Sequence, residues 1–456
     1  MLRVEKIGGT SMSRFKEILQ NIFLYENKIY GRIFVVSAYS GVTDILLENK
    51  KNNNPGVFGA FPDDDYLNKL DDVEKKLKEI NFQFEKLGLD IHKANLAIEN
   101  RVSAIADYLK NLDSILCSGY VEKNNIILTA REILAGLGEF HSAYNTTEIL
   151  KSHGINAKLI DLSCINDKNN YTVDQRLRNS VNLFDPEIEV PIITGYVKGV
   201  DGLMREFDRG YSEITFAKIA VYSNSNEAII HKEYNLSSAD PKIVGVSNCK
   251  SIRYTNYDVA DQLADIGMEA IHPKASKLLE KSGIDLIIKN SFKPEDHGTI
   301  ITSEHKNQNP SVEIISGCDK VILIDVFDSE MVLKTGFDLN IMEELKRHNI
   351  SYIMKSTSAN SISFVIHEKD FHSELIKQLS INYDKVSKEE IAIVSVIGAS
   401  LNIPGILFQI SKCMFHEKIN IKAVSVAYSQ TNVQFVISRA NYRKAIITLN
   451  NEFFIK

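Results

Sequence analysis

Two glycines that follow a short apolar segment give the N-terminal region the means to bind an anion. The segment Leu2–Ile7 is followed by Gly8, Gly9, Thr10 and Ser11. If the segment is a strand that leads into a helix, the glycines let the backbone approach a phosphate closely, and the N–H groups at the helix start supply partial positive charge. Lys6 adds a full charge. The pattern predicts a phosphate loop, although an ordinary strand–turn–helix fits these residues equally well.

A second set of hydroxyl side chains follows the next apolar segment, Arg32–Ala38. This set contains Ser40 and Thr43, with Gly41 between them. In open parallel sheets, ligands bind beyond the carboxyl ends of the strands. Two such turns within the first 45 residues indicate that two anionic groups are held near one another, although a plain capped turn would show the same residue types.

An arginine follows a third apolar segment, Val190–Thr194. Arg209 precedes Gly210 and lies three positions before Ser212, in the run DRGYSEIT. A guanidinium group in such a turn suits two-pronged binding of a carboxylate or a phosphate. The alternative is a surface arginine beside a helix cap.

The elements that must position these residues alternate between strands and helices over roughly the first 300 residues. We predict helices that include Phe15–Leu24 and Arg131–Leu150, and a helical excursion over Tyr66–Lys110. The alternation predicts an α/β fold with a parallel sheet and helices on both faces. The predicted strands are Leu2–Ile7, Arg32–Ala38, Ile126–Leu128, Ala157–Ile160, Val190–Thr194, Glu227–Ile230 and Ile284–Ile288.

An internal repeat at an offset of 71 residues occupies the C-terminal third. Asn349–Ile366 (NISYIMKSTSANSISFVI) aligns with Asn420–Ile437 (NIKAVSVAYSQTNVQFVI). Each copy has a strand and an amphipathic helix before it and a helix after it, which predicts two βαββα units of ferredoxin-like character. With Glu304–Pro310 as a polar linker, we predict domains at 1–305, 312–388 and 389–456. The two units could bind ligands, or the alternative is that the duplicated unit has only a structural role.

The composition excludes several broad classes of protein. A formal net charge of −6, with 44% hydrophobic and 25% charged residues, is typical of a folded soluble protein and argues against a nucleic-acid binder or a polybasic membrane binder. The sequence shows neither a signal-peptide core nor an apolar run long enough to span a bilayer, so we expect a cytoplasmic protein. The five cysteines and eleven histidines show no metal-ligand spacing, and we therefore expect no protein-bound transition metal.

The order and spacing of the segments that contain the candidate binding residues point to one family. Over essentially its whole length, the chain resembles the aspartate kinases of the amino-acid-kinase family. Lys6–Met12 (KIGGTSM) is similar to their opening KFGGTSV, and Val36–Asp44 (VSAYSGVTD) is similar to their VVSAMSGVTN. The repeat resembles their tandem ACT domains. Three shorter matches are Gly138–Ala143 (GEFHSA) with GERLSA, Ala239–Lys242 (ADPK) with ADPR, and Ala270–Lys274 (AIHPK) with the helix-borne HPK.

Two motifs depart from the family pattern. The usual GRGGSD is DRGYSE here, with Tyr211 in place of a glycine and Glu213 in place of an aspartate. The usual TDVDGVYTADPR is HKEYNLSSADPK, with His231 and Lys232 in place of Thr-Asp. These variants are similar to a divergent branch of aspartate kinases that is often encoded beside ectoine-synthesis genes.

The resemblance implies a fold and a reaction. The fold would be an amino-acid-kinase three-layer sandwich with a mainly parallel sheet, followed by two ferredoxin-like ACT domains. The reaction would transfer the γ-phosphoryl group of ATP to the β-carboxylate of aspartate, with Mg²⁺ held mainly by the phosphates and no metal site on the protein. The catalytic residues implied are Lys6, Arg209 and Glu139.

The resemblance also implies which residues hold each substrate. Arg209 would bind the α-carboxylate of aspartate, Glu139 its α-ammonium group, and Ser40 and Thr43 its β-carboxylate. Ser212 would be a further substrate-binding residue. The residues implied on the nucleotide side are Lys6, Gly8, Gly9, Thr10, Ser11, His231, Lys232, Tyr234, Asp240, Lys242 and Lys274.

The repeat would carry regulation and assembly. The resemblance implies an amino-acid effector site near the turn 326–338, and a homodimer formed through the ACT domains, with neither nucleic acid nor membrane as a partner. The turn lacks the family's usual glycine-rich, proline-containing form, so we expect weak or absent inhibition by lysine. The effector residues implied are Asp328, Ser329, Asp338, Ser358 and Asn360.

Two alternative functions stay open at this point. One is a related amino-acid kinase that acts on glutamate, acetylglutamate, carbamate or UMP, although the tandem repeat and the helical excursion favour aspartate. The other is a non-catalytic amino-acid sensor that uses only the ACT domains. Retention of Lys6, Glu139, Arg209 and Lys274 argues against the sensor.

Overall fold

The computed structural model describes residues 1–26, 28–49, 54–63, 65–207, 210–268, 270–305 and 310–455. The chain divides into two compact units. The first contains Met1–Asn235 and Ile271–Thr302, and the second contains Leu236–Ala270 and Ser303–Lys456. The chain therefore crosses between the units after Asn235, after Ala270 and after Thr302. The domain limits expected from the sequence remain predictions.

The strands carry the parallel and antiparallel sheets of the two units. In chain order they are β1 (Arg3–Ile7), β2 (Arg32–Val36), β3 (Ala157–Ile160), β4 (Val190–Thr194), β5 (Glu227–Lys232), β6 (Tyr254–Thr255), β7 (Asp285–Asn290), β8 (Thr299–Ile301), β9 (Ile314–Phe327), β10 (Tyr352–Thr357), β11 (Ser361–His367), β12 (Lys385–Ile397), β13 (Ala423–Val426) and β14 (Asn432–Ser438).

The helices range from single turns to thirty residues. They are α1 (Gly9–Met12), α2 (Phe15–Ile18), α3 (Val42–Leu46), α4 (Val57–Ala60), α5 (Tyr66–Gln83), α6 (Ile91–Ser118), α7 (Lys123–Ser152), α8 (Val173–Ser180), α9 (Leu203–Glu206), α10 (Tyr211–Tyr222), α11 (Pro241–Val244), α12 (Tyr257–Asp265), α13 (Pro273–Lys281), α14 (Phe337–Arg347), α15 (Ser373–Asn382), α16 (Ile406–His416) and α17 (Tyr442–Asn450). Short 3₁₀ turns cover Glu85–Leu87, Val246–Asn248, Ser329–Met331, Glu368–Asp370 and Arg439–Asn441, and π-helical turns cover Leu19–Phe23 and Asn451–Ile455. Within the described ranges, no helix combines the length and the apolar character that a membrane crossing requires.

The predicted elements of the first unit are mostly present. Strands β1–β5 and β7 overlap six of the predicted segments, and α5 and α6 form the predicted helical excursion. The strand predicted at Ile126–Leu128 is wrong, because these residues lie inside α7. The buried positions of that helix include Ile126, Ala130, Leu134 and Leu137, a spacing of three and four residues that is helical and not alternating.

The first unit is built on a mainly parallel sheet. Its strands have the order β3-β4-β2-β1-β5-β7-β8, and every adjacent pair is parallel except β7 with β8. Strands β2 and β4 are buried along their whole length. This continuous burial is typical of a parallel sheet that is covered on both faces, as the sequence predicted.

The second unit contains one antiparallel sheet to which both repeats contribute. The strand order is β10-β11-β9-β12-β14-β13, so the first strands of the two repeats, β9 and β12, pair at the centre. Each repeat has the predicted βαββα order. Helices α14 and α15 pack on the sheet strands of the first repeat, and α16 and α17 pack on those of the second. Helix α12 also belongs to this unit, because Val259, Leu263 and Ile266 share a core with Val321 and Ile391.

Candidate active site

The carboxyl ends of four parallel strands bring the predicted loops together. Strands β4, β2, β1 and β5 are neighbours, and Ile7 at the end of β1 is in register with Val36 of β2 and His231 of β5. Val36 is in turn in register with Thr194 of β4. The loops that start at Gly8, Ser37 and Gly195 therefore leave the sheet at one edge, where ligands bind in open parallel sheets.

Gly9 lies against the loop that follows β2. A Cβ atom placed on Gly9 would lie 2.6 Å from the carbonyl oxygen of Ala38, which is too close for any side chain. At Gly8, the nearest atom to such a Cβ would be Lys6 Nζ at 3.8 Å, an ordinary contact. The two glycines therefore differ in purpose, because only Gly9 is required for the first two loops to approach each other.

We expect Gly9→Ala to lower the stability of the protein by about 1–3 kcal/mol, because the backbone of one loop must move to admit the methyl group. Gly8→Ala is the matched control, since its added methyl group meets only ordinary contacts. Thermal unfolding of the two variants measures the difference. Equal melting temperatures for both variants would contradict the close approach at Gly9.

Lys6 is held at this edge by an ion pair. Its Nζ lies 3.4 Å from Glu213 Oε1, and both side chains are largely buried. The other oxygen of Glu213 accepts a hydrogen bond of 2.6 Å from the backbone N–H of His272. Burial works to raise the pKa of Glu213, but the positive charges of Lys6 and Lys232 outweigh it and hold that pKa below its usual range. Glu213, one of the departures in DRGYSE, therefore orients the lysine.

Glu139 forms the second buried ionisable group of the site. It lies on α7 with 2% of its surface exposed, and its Oε1 accepts a hydrogen bond of 2.8 Å from the hydroxyl of Tyr211. Its Oε2 has no hydrogen-bond partner among the described residues. Burial raises the pKa of Glu139 to about 7, although the Tyr211 hydroxyl, nearby backbone amides and the Lys6 charge all act to lower it. An acceptor oxygen without a partner is costly inside a protein and marks a place for a donor.

The predicted hydroxyl residues take different positions around the same edge. Ser40 is exposed, and its backbone N–H donates to Ser13 Oγ over 2.7 Å. Thr43 is half-buried in α3. Ser212 is buried directly beneath Gly195, where a Cβ atom would lie 2.8 Å from Ser212 Cβ. Gly195 thus lets the loop after β4 cross the start of α10.

His231 lies in a buried cluster of charged groups. Its Nε2 is 2.7 Å from Glu5 Oε2, and the guanidinium group of Arg32 holds both oxygens of Glu5 at 2.6 and 2.9 Å. Burial lowers the pKa of His231 despite the contact with Glu5. Because side chains alternate along a strand, Glu5 and Lys6 point to opposite faces of the sheet. A nucleotide contact of His231 stays a prediction.

The other nucleotide-side residues of the first unit are mostly accessible. Lys274 lies at the start of α13. Its Nζ is 2.7 Å from Glu206 Oε1 and 4.6 Å from the ring centre of Phe207. Thr10 and Tyr234 are exposed, and Lys232 is half-buried. Ser11 is buried, with its Oγ 2.9 Å from Ser291 Oγ.

Three predicted residues fall elsewhere. Asp240 and Lys242 belong to the second unit, where the Asp240 side chain caps α11 by accepting a hydrogen bond from the Lys242 N–H. Arg209 lies outside the described residues. The roles of all three stay predictions.

The predicted effector residues form two groups within the second unit. Asp328 caps the turn Ser329–Met331, and its backbone N–H donates to the carbonyl of Asn360 over 3.0 Å. Ser329 donates from both its N–H and its hydroxyl to Asp384. The second group is the ion pair of Asp338 with Lys355, at 2.7 Å. Ser358 lies near the first group, with its Oγ 2.9 Å from Ser361 Oγ.

Sequence reasoning missed the side-chain pairs that organise the site. Tyr211 and Glu213 were noticed only as departures from a pattern, and their partners Glu139 and Lys6 are 72 and 207 positions away. The available indication was that Tyr211 adds a hydroxyl group where the pattern has a glycine, and that Glu213 lengthens the usual carboxylate by one methylene group, both beside a predicted catalytic loop.

Comparisons with known proteins identify the family of the chain. Residues 1–290 match the model of the amino acid kinase family, and residues 386–451 match an ACT domain model. The chain belongs to the amino acid kinase family. It is 40% identical to the aspartate kinase Ask_Ect of Stutzerimonas stutzeri, over 99% of this chain and 97% of that protein. Within the family, the chain is an aspartate kinase.

More distant relatives and solved structures are also similar to the chain. The chain is 24% identical to chloroplastic aspartokinase 1 of Arabidopsis thaliana, over 99% of this chain and 80% of that protein. The fold matches E. coli aspartokinase III in complex with aspartate and ADP, with a TM-score of 0.76, 20% identity and complete coverage of both chains. It also matches the aspartate kinase of Clostridium acetobutylicum, with a TM-score of 0.69, 20% identity and 99% coverage of both chains.

Proposed function

We propose that the chain transfers the γ-phosphoryl group of ATP to the β-carboxylate of L-aspartate, as the first step of aspartate-family amino-acid or ectoine biosynthesis. The observation that carries this proposal is that a buried lysine, Lys6, and a separate buried carboxylate, Glu139, lie at the same edge of the parallel sheet, close enough for the lysine charge to lower the pKa of the carboxyl group. Lys6 offers a cation beside the glycine loop, and Glu139 offers an oxygen without a hydrogen-bond partner. These two groups suit a phosphate and an ammonium group, respectively.

The chemistry requires no general base. The free aspartate side chain has a pKa of about 3.9, so the attacking carboxylate is already ionised at neutral pH. The obstacle is the approach of one anion to another, and catalysis therefore consists of positioning and charge neutralisation. Lys6 neutralises the transferring phosphoryl group, while the N–H groups of Gly8 and Gly9 hold its oxygens.

The amino-acid substrate is held by groups of complementary charge. Glu139 accepts the α-ammonium group at its unpartnered oxygen, and Arg209 binds the α-carboxylate through its planar guanidinium group. Ser40, Thr43 and Ser212 orient the β-carboxylate towards the phosphate. This arrangement selects an α-amino acid with a short acidic side chain.

The nucleotide side is lined by the remaining predicted residues. Thr10 and Ser11 continue the phosphate loop, Lys274 supplies a second cation, and Lys232 and Tyr234 follow β5. We expect the nucleotide to enter as MgATP, with the metal ion held mainly by its phosphate oxygens. His231 completes the proposed set within the first unit, and the nucleotide roles of Asp240 and Lys242 stay predictions.

The substrate assignment is tested by trapping the acyl phosphate with hydroxylamine. Aspartate, glutamate and acetylglutamate are compared side by side at equal concentration with MgATP. We expect hydroxamate with aspartate alone. Hydroxamate formed only from glutamate or acetylglutamate would contradict the proposal. If none of the three acids gives hydroxamate in the presence of MgATP, the result would favour a non-catalytic sensor.

We propose a homodimer formed through the ACT domains and only weak inhibition by lysine. An effector's ammonium group would have to displace Lys355 from Asp338, which weakens its binding. Titration with lysine, threonine and ectoine, together with sedimentation velocity, measures both properties. Strong inhibition by lysine that is abolished in Asp338→Ala, or a fully active monomer, would contradict this part of the proposal. A cytoplasmic location remains part of the proposed function.

A further inference from the structure

Tyr211 occupies a buried position at the start of α10, next to the catalytic edge. The helix begins directly after Gly210, whose φ of +86° turns the chain into it. The Tyr211 side chain is only 4% exposed, and its ring packs edge-on against Tyr196 with centroids 6.0 Å apart. A glycine at this position, as in the pattern GRGGSD, would leave this space empty.

The hydroxyl of Tyr211 contacts only one of the two carboxylate oxygens of Glu139. It donates to Oε1 over 2.8 Å and leaves Oε2 without a partner among the described residues. Because Glu139 is buried, its side chain has little freedom to turn, and a hydrogen bond at one oxygen fixes the direction of the other.

We propose that Tyr211 is a positioning residue, whose hydroxyl fixes Glu139 at Oε1 so that Oε2 faces the ammonium group of the amino-acid substrate. This inference rests on the proposed function, in which Glu139 binds that ammonium group. Tyr211 itself touches neither substrate.

The charged and titratable groups around Glu139 come from several elements. Lys6 of β1 favours the ionised carboxyl, and Tyr211 of α10 donates to it. Tyr196, on the loop after β4, lies beside Tyr211 and donates its own hydroxyl to Glu132 over 2.6 Å. Glu213 of α10 forms an ion pair with Lys6. On α7 itself, burial lowers the pKa of His141 to about 3, so this side chain stays neutral over the pH range of interest.

Removal of the hydroxyl makes a prediction with a definite sign. A hydrogen bond donated to a carboxylate favours its ionised form, so Tyr211→Phe raises the pKa of Glu139 above its value of about 7. The acid limb of kcat/KM for aspartate then moves to higher pH by about one unit. At pH 7 the smaller ionised fraction of Glu139 raises the KM for aspartate about fivefold, while the KM for ATP changes less than about twofold. The phenylalanine ring preserves the packing against Tyr196.

Tyr196→Phe is the matched control, because it removes a buried hydroxyl bonded to a different carboxylate, Glu132. We expect this control to leave the acid limb in place. Carbon-13 NMR titration of protein labelled at the glutamate carboxyl carbon, with Glu139→Gln to assign the resonance, follows the Glu139 pKa without any substrate. Thermal unfolding verifies that each variant is folded.

The outcomes separate this inference from the proposed function. A Glu139 titration and an acid limb that both stay unmoved in Tyr211→Phe would overturn the inference, even if the protein phosphorylates aspartate well. An equal shift in Tyr196→Phe would also overturn it, because the effect would then be general to this region. A wild-type protein inert towards aspartate would overturn the proposed function, and the NMR titration would still decide whether Tyr211 controls Glu139.

Discussion

Lys6→Met is expected to lower kcat about 1000-fold, the upper range for loss of a group that stabilises charge in the transition state. Lys6 Nζ lies beside the glycine loop and is held by Glu213 at 3.4 Å. Methionine has a similar length and fits the same space, but it cannot neutralise the transferring phosphoryl group. ATP binding should weaken less than turnover, because the loop N–H groups remain. A coupled assay of ADP release and calorimetric titration of ATP measure the two effects.

Loss of the Lys6–Glu213 ion pair must be distinguished from loss of the catalytic charge. Glu213→Gln breaks the ion pair while it keeps Lys6, so we expect it to reduce kcat less than about tenfold, as for loss of a positioning contact. If Lys6→Met retains more than a tenth of the wild-type kcat, Lys6 is not at the transferring phosphate. If both variants lose activity equally, the ion pair and not the lysine charge is the essential feature.

Glu139→Gln is expected to raise the KM for aspartate about 100-fold or more, the scale for removing one partner of a buried charge pair. The amide keeps the shape of the side chain and can still accept the Tyr211 hydrogen bond, but it carries no charge for the substrate ammonium group. The acid limb of kcat/KM near pH 7 should disappear with the carboxyl that titrates there. Steady-state kinetics at several pH values measure both effects.

Glu132→Gln is the comparison for this variant. Glu132 is also a carboxylate bonded to a buried tyrosine, but its oxygens accept from Tyr196 and from the backbone N–H groups of Met204 and Arg205. We therefore expect little change in the KM for aspartate. A KM that rises equally in both variants would indicate that Glu139 acts on the surrounding structure and not on the substrate.

The fold was largely predictable because local sequence patterns determine its main features. Continuous apolar segments predicted the buried strands β2 and β4, and alternation of strands with helices predicted the parallel sheet. The repeat predicted two βαββα units. The short segment Ile126–Leu128 was mistaken for a strand, because three apolar residues in a row show no period that separates a strand from a buried helix. The length of α7 becomes evident only from the buried positions that recur along it.

The loops that form the site were predictable from the sequence, but the side-chain contacts between them were not. Parallel strands end at one edge, so Gly8, Gly9 and Ser40 could be expected near one another from order alone. The contacts of Tyr211 with Glu139 and of Glu213 with Lys6 join distant parts of the chain, and no local pattern encodes them. The residue type at Tyr211 indicated an added hydroxyl group and that at Glu213 a longer carboxylate, but the partner of each is decided by three-dimensional packing.

The three chain crossings between the compact units constrain how chimeras of this enzyme can be built. Val259, Leu263 and Ile266 share a hydrophobic core with strands of the repeats. A fragment that begins at residue 311 would therefore lack these three core side chains. The catalytic half left behind would carry those three side chains without their partners. An exchange of regulatory parts between related kinases therefore needs two joints more than a head-to-tail fusion, near residues 235 and 270, so that the segment between them travels with its repeats.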